Sequence, residues 1–525
     1  MNHWHDHAVP PMRHEALYGD RIVCCFAERP AGLHAMFERA RATRPQHDAI
    51  VCEGRRWSYA QAGELADRLA GGLAAQGIAA GERVLMLISN RPEFLLVLLA
   101  LQRLGAIAVP VGVRERRPGL AYIAGQCGAK AIVFDDALAD RVPEAAETPA
   151  LALRLASSGL AALGDAAHAV PVAAATNETD VAVILYTSGT TGHPKGALLT
   201  HLSIAHSALH YQLCMRLQAG DRSALAVPAS HVTGLLAIIA AMWQVGGAVI
   251  VVPEFKAEAF VQLLAQERVS HTLMVPAMYQ LCLLCDAFGR ADLSHWRIGG
   301  FGGAPMPVAT IDALADRVPG LTLINAYGAT ETTSPAAMMP AGLARAHVDS
   351  VGVALPAAEI RVMDDQGRQV APGETGELWI GGPMVVPGYW ADSEATTASF
   401  TAGFWHSGDL GSVDAQGFVR IFDRKKDMLN RGGFKVYSVE VENVLMAWPG
   451  VVEAAVVGKP CPVLGERVHA FVYAPGVAPD EAALQAHCAA RLADYKVPES
   501  VSWSTEPLPR NANGKLMKRL LRSRM

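Results

Sequence analysis

The chain has no long basic stripe. Its 45 Lys and Arg stand against 50 Asp and Glu, a formal charge of −5, and at that balance nothing attracts a polyphosphate backbone, which excludes nucleic acid as a partner. The polar start, MNHWHDHAVPPMRHE, holds no apolar run of the secretory kind. The strongly apolar LLVLLALQRLGAIAVPVG from Leu95 is interrupted by Gln102 and Arg103; a buried helix followed by a strand accounts for it better than a membrane span. Nine cysteines, an odd number scattered over 525 residues, read as reduced thiols of a cytoplasmic protein rather than a disulfide framework. Cys282 and Cys285 form a CxxC without a His/Cys pair nearby, so they read as two faces of an apolar helix, not a zinc site. No GxSxG elbow precedes a suitable helix, which argues against a Ser–His–Asp hydrolase.

What is present is material for a large core: 51% hydrophobic residues, 18% charged, with 48 Gly and 31 Pro marking many turns. A chain of this length divides into two or more structural units. ERVLMLI, AKAIVFD and DVAVILY read as buried strands, and WSYAQAGELADRLAGGLAAQG as a helix closed by Gly77. Residues 136–178 are Ala-rich with scattered Pro and Gly and read as a partly exposed excursion. SALAVPA, GAVIVVP, HTLMVPA, IGGFGGAP and LINAYGA each run from strand to loop, separated by helical stretches such as HVTGLLAIIAAMWQVG. That alternation predicts parallel sheets with ligands at the strand C-terminal ends. From Glu359 short strands and hairpins take over, with turns at Asp364–Gly367 and Asp414–Gly417.

The expected architecture is α/β: a large N-terminal domain of layered sheets with a small barrel-like subdomain (1–423), a hinge (424–426), and a small mobile α+β C-terminal domain (427–525).

The sharpest local signal is YTSGTTGHPKG, Tyr186–Gly196, directly after the strand DVAVILY. Thr187, Ser188, Gly189, Thr190 and Thr191 are small and either hydroxylated or flexible, so hydroxyls and N–H groups can wrap a polyphosphate, and Lys195 adds a mobile cation. It is not a Walker A loop. The competing reading is a surface turn.

With this loop the chain resembles the adenylate-forming superfamily of acyl-CoA synthetases, peptide-synthetase adenylation domains and luciferases, from about Ser58 to Lys515. The resemblance is greatest to carboxylic acid–CoA ligases. It implies a mobile β/γ-phosphate loop at Tyr186–Gly196, with ATP, Mg2+ and coenzyme A as cofactors.

Other motifs carry both a physical reading and one that the resemblance implies. In NAYGATETT, Tyr327 can stack on a purine, Asn325 can bond its amine, Thr330 can touch a phosphate oxygen, and Glu331 can hold magnesium, since ATP supplies further oxygen ligands. Ala326 and Gly328 complete that stretch. Helix capping is the alternative for Glu331. IGGFGGAPMP is too glycine-rich for an ordinary helix start, and close backbone approach to a flat ligand is the favoured use; the resemblance places Gly303, Ala304 and Pro305 beside adenine. It places His231 beside the acid and acyl pocket, with a core or capping histidine as competitor. His201 also matches a family position, without assigned chemistry. Asp409 and Arg424 suit a ribose diol, although the family often carries Tyr or Phe at His406.

The resemblance makes Lys426 the hinge, Gly432 and Gly433 part of a pantetheine tunnel, and Lys515 the adenylation lysine, whose ammonium offsets charge on the reacting oxygens. Lys518 and Arg519 read as a frayed basic tail, and Glu440 and Glu442 as helix-start or solvent residues. The expected reaction activates an apolar acid, aromatic or short-to-medium aliphatic, as acyl-AMP and passes it to coenzyme A. No Lys or Arg in the expected acyl segments suits a second carboxylate. Ten residues follow Lys515 and hold no carrier segment, so loading a carrier protein in trans is the alternative. A non-enzymatic nucleotide-binding protein is a remote one, and Asn430 argues against luciferase chemistry. A two-fold dimer is the common form for a soluble enzyme of this size.

Overall fold

A computed structural model describes residues 3–4, 9–165, 169–187, 194–510 and 516–525. They form two compact units. The first comprises Met1–Ile360, Trp379–His406 and Gln416–Val419, and the second Arg361–Leu378, Ser407–Ala415 and Arg420–Met525.

The apolar runs of the first unit become the strands of two sheets. In one, Asp48–Cys52, Ala248–Val251, Arg222–Leu225, His271–Met274, Ile298–Phe301 and Thr322–Ala329 lie side by side in that order, every neighbouring pair parallel. Parallel pairing brings the loops after Leu225, Phe301 and Ala329 to one edge of the sheet, where ligands bind in such folds. Ser334–Met338 and Gly352–Ala354 extend it antiparallel. The second sheet has six strands, in the order Lys195–Thr200, Val181–Thr187, Ile107–Pro110, Arg83–Leu87, Ala131–Phe134 and Leu153–Ala156. All neighbours are parallel except the first pair, in which Thr187 stands opposite Lys195. The Thr/Ser/Gly run therefore joins two paired strands.

The apolar stretch from Leu95 is the helix Pro92–Leu104, stopped by Gly105 at φ 66° and followed by the strand Ile107–Pro110. No helix among the described residues is long and apolar enough to cross a membrane. All nine cysteines are free thiols, and Cys282 is buried in the helix Pro276–Leu284.

Two segments differ from expectation. Within the partly exposed stretch 136–165, Leu153–Ala156 is the edge strand of the six-stranded sheet and Leu160 of the helix Leu160–Asp165 is buried, order the composition did not show, while 169–178 are mostly exposed. The stretch after His231 is a π-helix, Thr233–Ala240, continued by the α-helix Ala241–Val245. Its residues from Gly234 onward are buried, and it packs against Ser334–Met338.

In the second unit Glu453–Cys461 and Gly465–Tyr473 form a long hairpin. Ser500–Ser504 runs parallel to Gly465–Tyr473, and Leu429–Arg431 pairs with both Phe434–Val436 and the start of Gly465–Tyr473. The helices Ser438–Met446 and Glu481–Ala489 cover a core of Leu429, Val441, Leu445, Val456, Val468 and Leu484.

Candidate active site

In the first unit the strand ends on either side of the Thr/Ser/Gly run meet the acidic turn. Thr187 closes its strand, and its hydroxyl donates to Glu331 Oε1 at 3.4 Å. Glu331 lies in the 3-10 turn Thr330–Thr332 and is 8% exposed. A second hydroxyl, from Tyr389, donates to the same oxygen at 3.0 Å, and Lys195 Nζ sits 5.2 Å from the Tyr389 ring centroid. Ser188, Gly189, Thr190 and Thr191 lie outside the described residues. Instead of capping a following helix, Glu331 turns its carboxylate toward the strand that ends at Thr187. Just past it, Thr333 and Ser334 adopt φ values of 50° and 88°, left-handed geometry that β-branched threonine strongly disfavours. Backbone strain of this kind collects at functional sites.

One carboxylate with hydroxyls around it fits a magnesium ion that would arrive with ATP, since such an ion needs only one or two protein carboxylates beside phosphate oxygens and waters. It does not fit a resident metal cage: no group of three or more His, Cys, Asp or Glu among the described residues could hold one.

The neighbouring loops explain their own glycines. Gly302 approaches the Ala326 carbonyl so closely that a Cβ would lie 2.4 Å from its oxygen, and Gly328 abuts the Ser334 carbonyl in the same way. The close approach at both positions is to the protein's own backbone, whereas Gly303 needs its left-handed φ of 77° to turn the chain. Gly303, Ala304 and Pro305 are exposed, Tyr327 is half-buried, and Asn325 is buried with its amide 3.5 Å from the Ser350 carbonyl. A void of about 10 Å3 among Phe301, Met306, Ile311, Asn325, Met339 and His347 has room for one water and none for an acyl group. His231 Nδ1 lies 3.3 Å from the Thr233 amide nitrogen and 3.2 Å from the Thr233 hydroxyl. His406 stacks on Trp379 with centroids 3.9 Å apart, an aromatic contact from a residue where the family often has Tyr or Phe.

In the second unit Asp409, buried on its strand, pairs with Arg424 Nε at 2.9 Å. The two residues expected at a ribose thus lie together. Lys426 is exposed in the turn that follows, and its carbonyl accepts from Arg522 at 3.2 Å. Gly432 and Gly433, at φ 59° and 90°, form the two-residue turn between paired Arg431 and Phe434, which demands positive φ at both positions. Lys515 lies outside the described residues. Lys518 is no frayed tail: its Nζ reaches Ser438 Oγ at 2.5 Å and Glu442 Oε1 at 2.7 Å, with 12% of the side chain exposed. Nor is Glu442 a solvent residue, since it also accepts the Val456 N–H at 2.7 Å.

Residues 37–390 match the family described as AMP-binding enzyme, and residues 440–515 match its C-terminal domain. The chain belongs to the AMP-binding enzyme family. This AMP-binding enzyme is an AMP-forming acid–thiol ligase. It is 36% identical to a feruloyl-CoA synthase of Amycolatopsis sp over 94% of this chain and 99% of that protein. It is 34% identical to a long-chain-fatty-acid–CoA ligase of Mycobacterium tuberculosis over 89% and 93%. Among solved structures it resembles ATP-bound MatB from Rhodopseudomonas palustris, with TM-score 0.87 and 31% identity over 94% and 99% of the two chains. These relatives differ in the acids they are named for, so family membership gives the AMP-binding enzyme its chemistry and leaves the acid to its own residues.

Sequence reasoning missed Tyr389. In VVPGYWAD it looks like a core aromatic in a Pro/Gly loop, and only its hydroxyl, buried against Glu331, marks it out. Burial, then the Glu331 charge, pushes that hydroxyl above its ordinary pKa, so it stays a donor.

Proposed function

We propose that this AMP-binding enzyme joins an uncharged, apolar carboxylic acid, aromatic or short-to-medium aliphatic, to coenzyme A through an acyl-adenylate. The observation that carries the reading is the convergence of Thr187, Lys195 and Glu331 at one strand end. The acid's carboxylate attacks the α-phosphorus of ATP, the α–β bridging bond breaks, and pyrophosphate leaves. The thiolate of coenzyme A then attacks the mixed anhydride, giving the thioester and AMP.

In this reading Thr187 to Thr191 and Lys195 hold the departing phosphates, and Thr330 contacts them from the facing turn. Magnesium, held by Glu331, neutralises phosphate charge when bound. Asn325, Ala326, Tyr327 and Gly328, with Gly303, Ala304 and Pro305, border the adenine. Asp409 and Arg424, already paired, present a carboxylate and a guanidinium to the ribose diol. His231 borders the acid, Lys515 steadies the reacting oxygens, Lys426 is the hinge, and Gly432 and Gly433 leave room for the pantetheine arm. The setting proposed is cytoplasmic.

The choice of acid follows from Ser230–Leu235, Phe301–Pro305 and Ala326–Ser334, which contain no Lys or Arg to bind a second carboxylate. Likeness to a feruloyl-CoA synthase puts aromatic acids first. Pyrophosphate release measured with benzoate, cinnamate, octanoate and malonate, each with coenzyme A or a holo-carrier protein, tests the reading. Turnover of an aromatic or medium-chain acid with coenzyme A is expected. Malonate as the best acid overturns the pocket reading, and preference for the carrier overturns the thiol assignment.

A further inference from the structure

Tyr389 stands where two parts of the phosphate site are tied together. Its segment bonds to both. Val386 N–H donates to the Glu331 carbonyl at 2.9 Å, Trp390 N–H to Gly196 at 2.7 Å, and Gly388 accepts from Leu198 N–H at 3.1 Å. Ala197 and Tyr389 form an antiparallel bridge. The segment is therefore pinned at one end to the acidic turn and at the other to the strand leaving the phosphate loop. Gly388 is needed for that fit, because a Cβ there would lie 2.6 Å from Thr396 Cγ2, while Thr396 Oγ1 accepts the Tyr389 N–H at 3.0 Å.

The side chain repeats the backbone's connection. Its hydroxyl donates to Glu331 at 3.0 Å, and its ring lies under the Lys195 ammonium at 5.2 Å, within cation–π range. The ring is 7% exposed and held edge-on by Phe400 at 5.8 Å, so it has little freedom to swing.

We infer that Tyr389 is a positioning residue: its hydroxyl orients the Glu331 carboxylate toward metal and phosphate, and its ring holds the Lys195 ammonium at a set distance from that carboxylate. This rests on the proposed roles of Glu331 and Lys195. The two halves of the side chain act on different terms, and that makes them separable. The hydroxyl affects only what Glu331 does, so its influence appears when magnesium is present. The ring affects the cation that meets phosphate directly, so its influence appears with or without the metal.

The test is equilibrium binding of ATP by calorimetry to the full-length protein, in excess EDTA and across a magnesium titration, for wild type, Tyr389→Phe, Tyr389→Leu and Glu331→Gln. Tyr389→Phe is expected to keep the affinity in EDTA and to lose roughly tenfold of the strengthening by magnesium, the size of one hydrogen bond to a charged group. Tyr389→Leu is expected to weaken binding in EDTA as well, by about threefold or more. Thioester formation from supplied acyl-adenylate, which needs neither pyrophosphate oxygens nor Lys195, is expected to be unchanged in Tyr389→Phe; a general structural lesion would lower it too. Equal losses with and without magnesium in Tyr389→Phe, or none, overturn the inference. If Glu331→Gln also leaves the magnesium dependence intact, the assignment of Glu331 itself falls; if it abolishes that dependence while Tyr389→Phe does not, only the inference about Tyr389 falls.

Discussion

The two compact units hold their candidate site residues by different means. In the first, strand pairing does it: Thr187 faces Lys195 in a ladder, Glu331 is fixed by the Val386 amide, and side-chain contacts come from hydroxyls. In the second, buried charges do it. Asp423, 2% exposed, accepts from the Ser438 amide and hydroxyl and from the Arg424 amide. Lys518 joins Ser438 to Glu442, and Arg522 holds Asp427 at 3.0 Å. A ladder spreads its strength over many weak bonds, whereas a buried ion cluster concentrates it in a few that each cost much to break. Single side-chain changes should thus be felt far more in the second unit.

The strongest way to break that comparison is Lys518→Met, which leaves Asp423 and Glu442 buried without their cation. Stability to urea should fall by about 3 kcal/mol or more, read from the unfolding transition of the full-length protein. Burial already raises the pKa of both carboxyl groups, with Lys518 opposing it. Carboxyls raised in the fold favour folding when protonated and lose that advantage as pH rises through their folded pKa. The penalty in Lys518→Met should therefore shrink between pH 8 and pH 5; a penalty that grows on acidification would refute the cluster's role.

Lys515→Ala should come next, with a fall of about 100-fold or more in acid-dependent pyrophosphate exchange and thioester formation from supplied acyl-adenylate largely retained. Undiminished exchange removes Lys515 from the adenylation step. The smallest effect sharpens the contrast from the first unit. His406→Phe keeps the stack on Trp379 and loses the 3.0 Å contact to Thr401, so stability should change by about 0.5 kcal/mol or less by thermal melting.

Much of the fold was legible because buried parallel strands are written as short apolar runs, and DVAVILY, HTLMVPA and LINAYGA each became one. The edge strand Leu153–Ala156 was not, because an Ala-rich surrounding with weak strand preference hides a short run such as LRLA. At the site, Thr187, Lys195 and Glu331 were visible as chemistry-bearing residues in short motifs. Tyr389 was invisible because the two partners that mark it out, Glu331 and Lys195, lie 58 residues or more away in the chain, and periodicity carries no information at that range. Lys518 was misread for a related reason: a basic run near a C-terminus resembles solvent decoration until Glu442 and Ser438 are found beside it. Gly302 was legible as a close-approach position, but the group beside it is the Ala326 carbonyl of the protein's own backbone.

The π-helix Thr233–Ala240 offers evolution an unusual handle. Its bonds close five residues on instead of four, so every turn carries surplus chain relative to an α-helix. Deleting a single residue from it can rewind the turn to ordinary pitch and rotate all that follows, exchanging which side chains meet Ser334–Met338 at a stroke. The packing of this layer against Ser334–Met338 is open to change by length as well as by substitution.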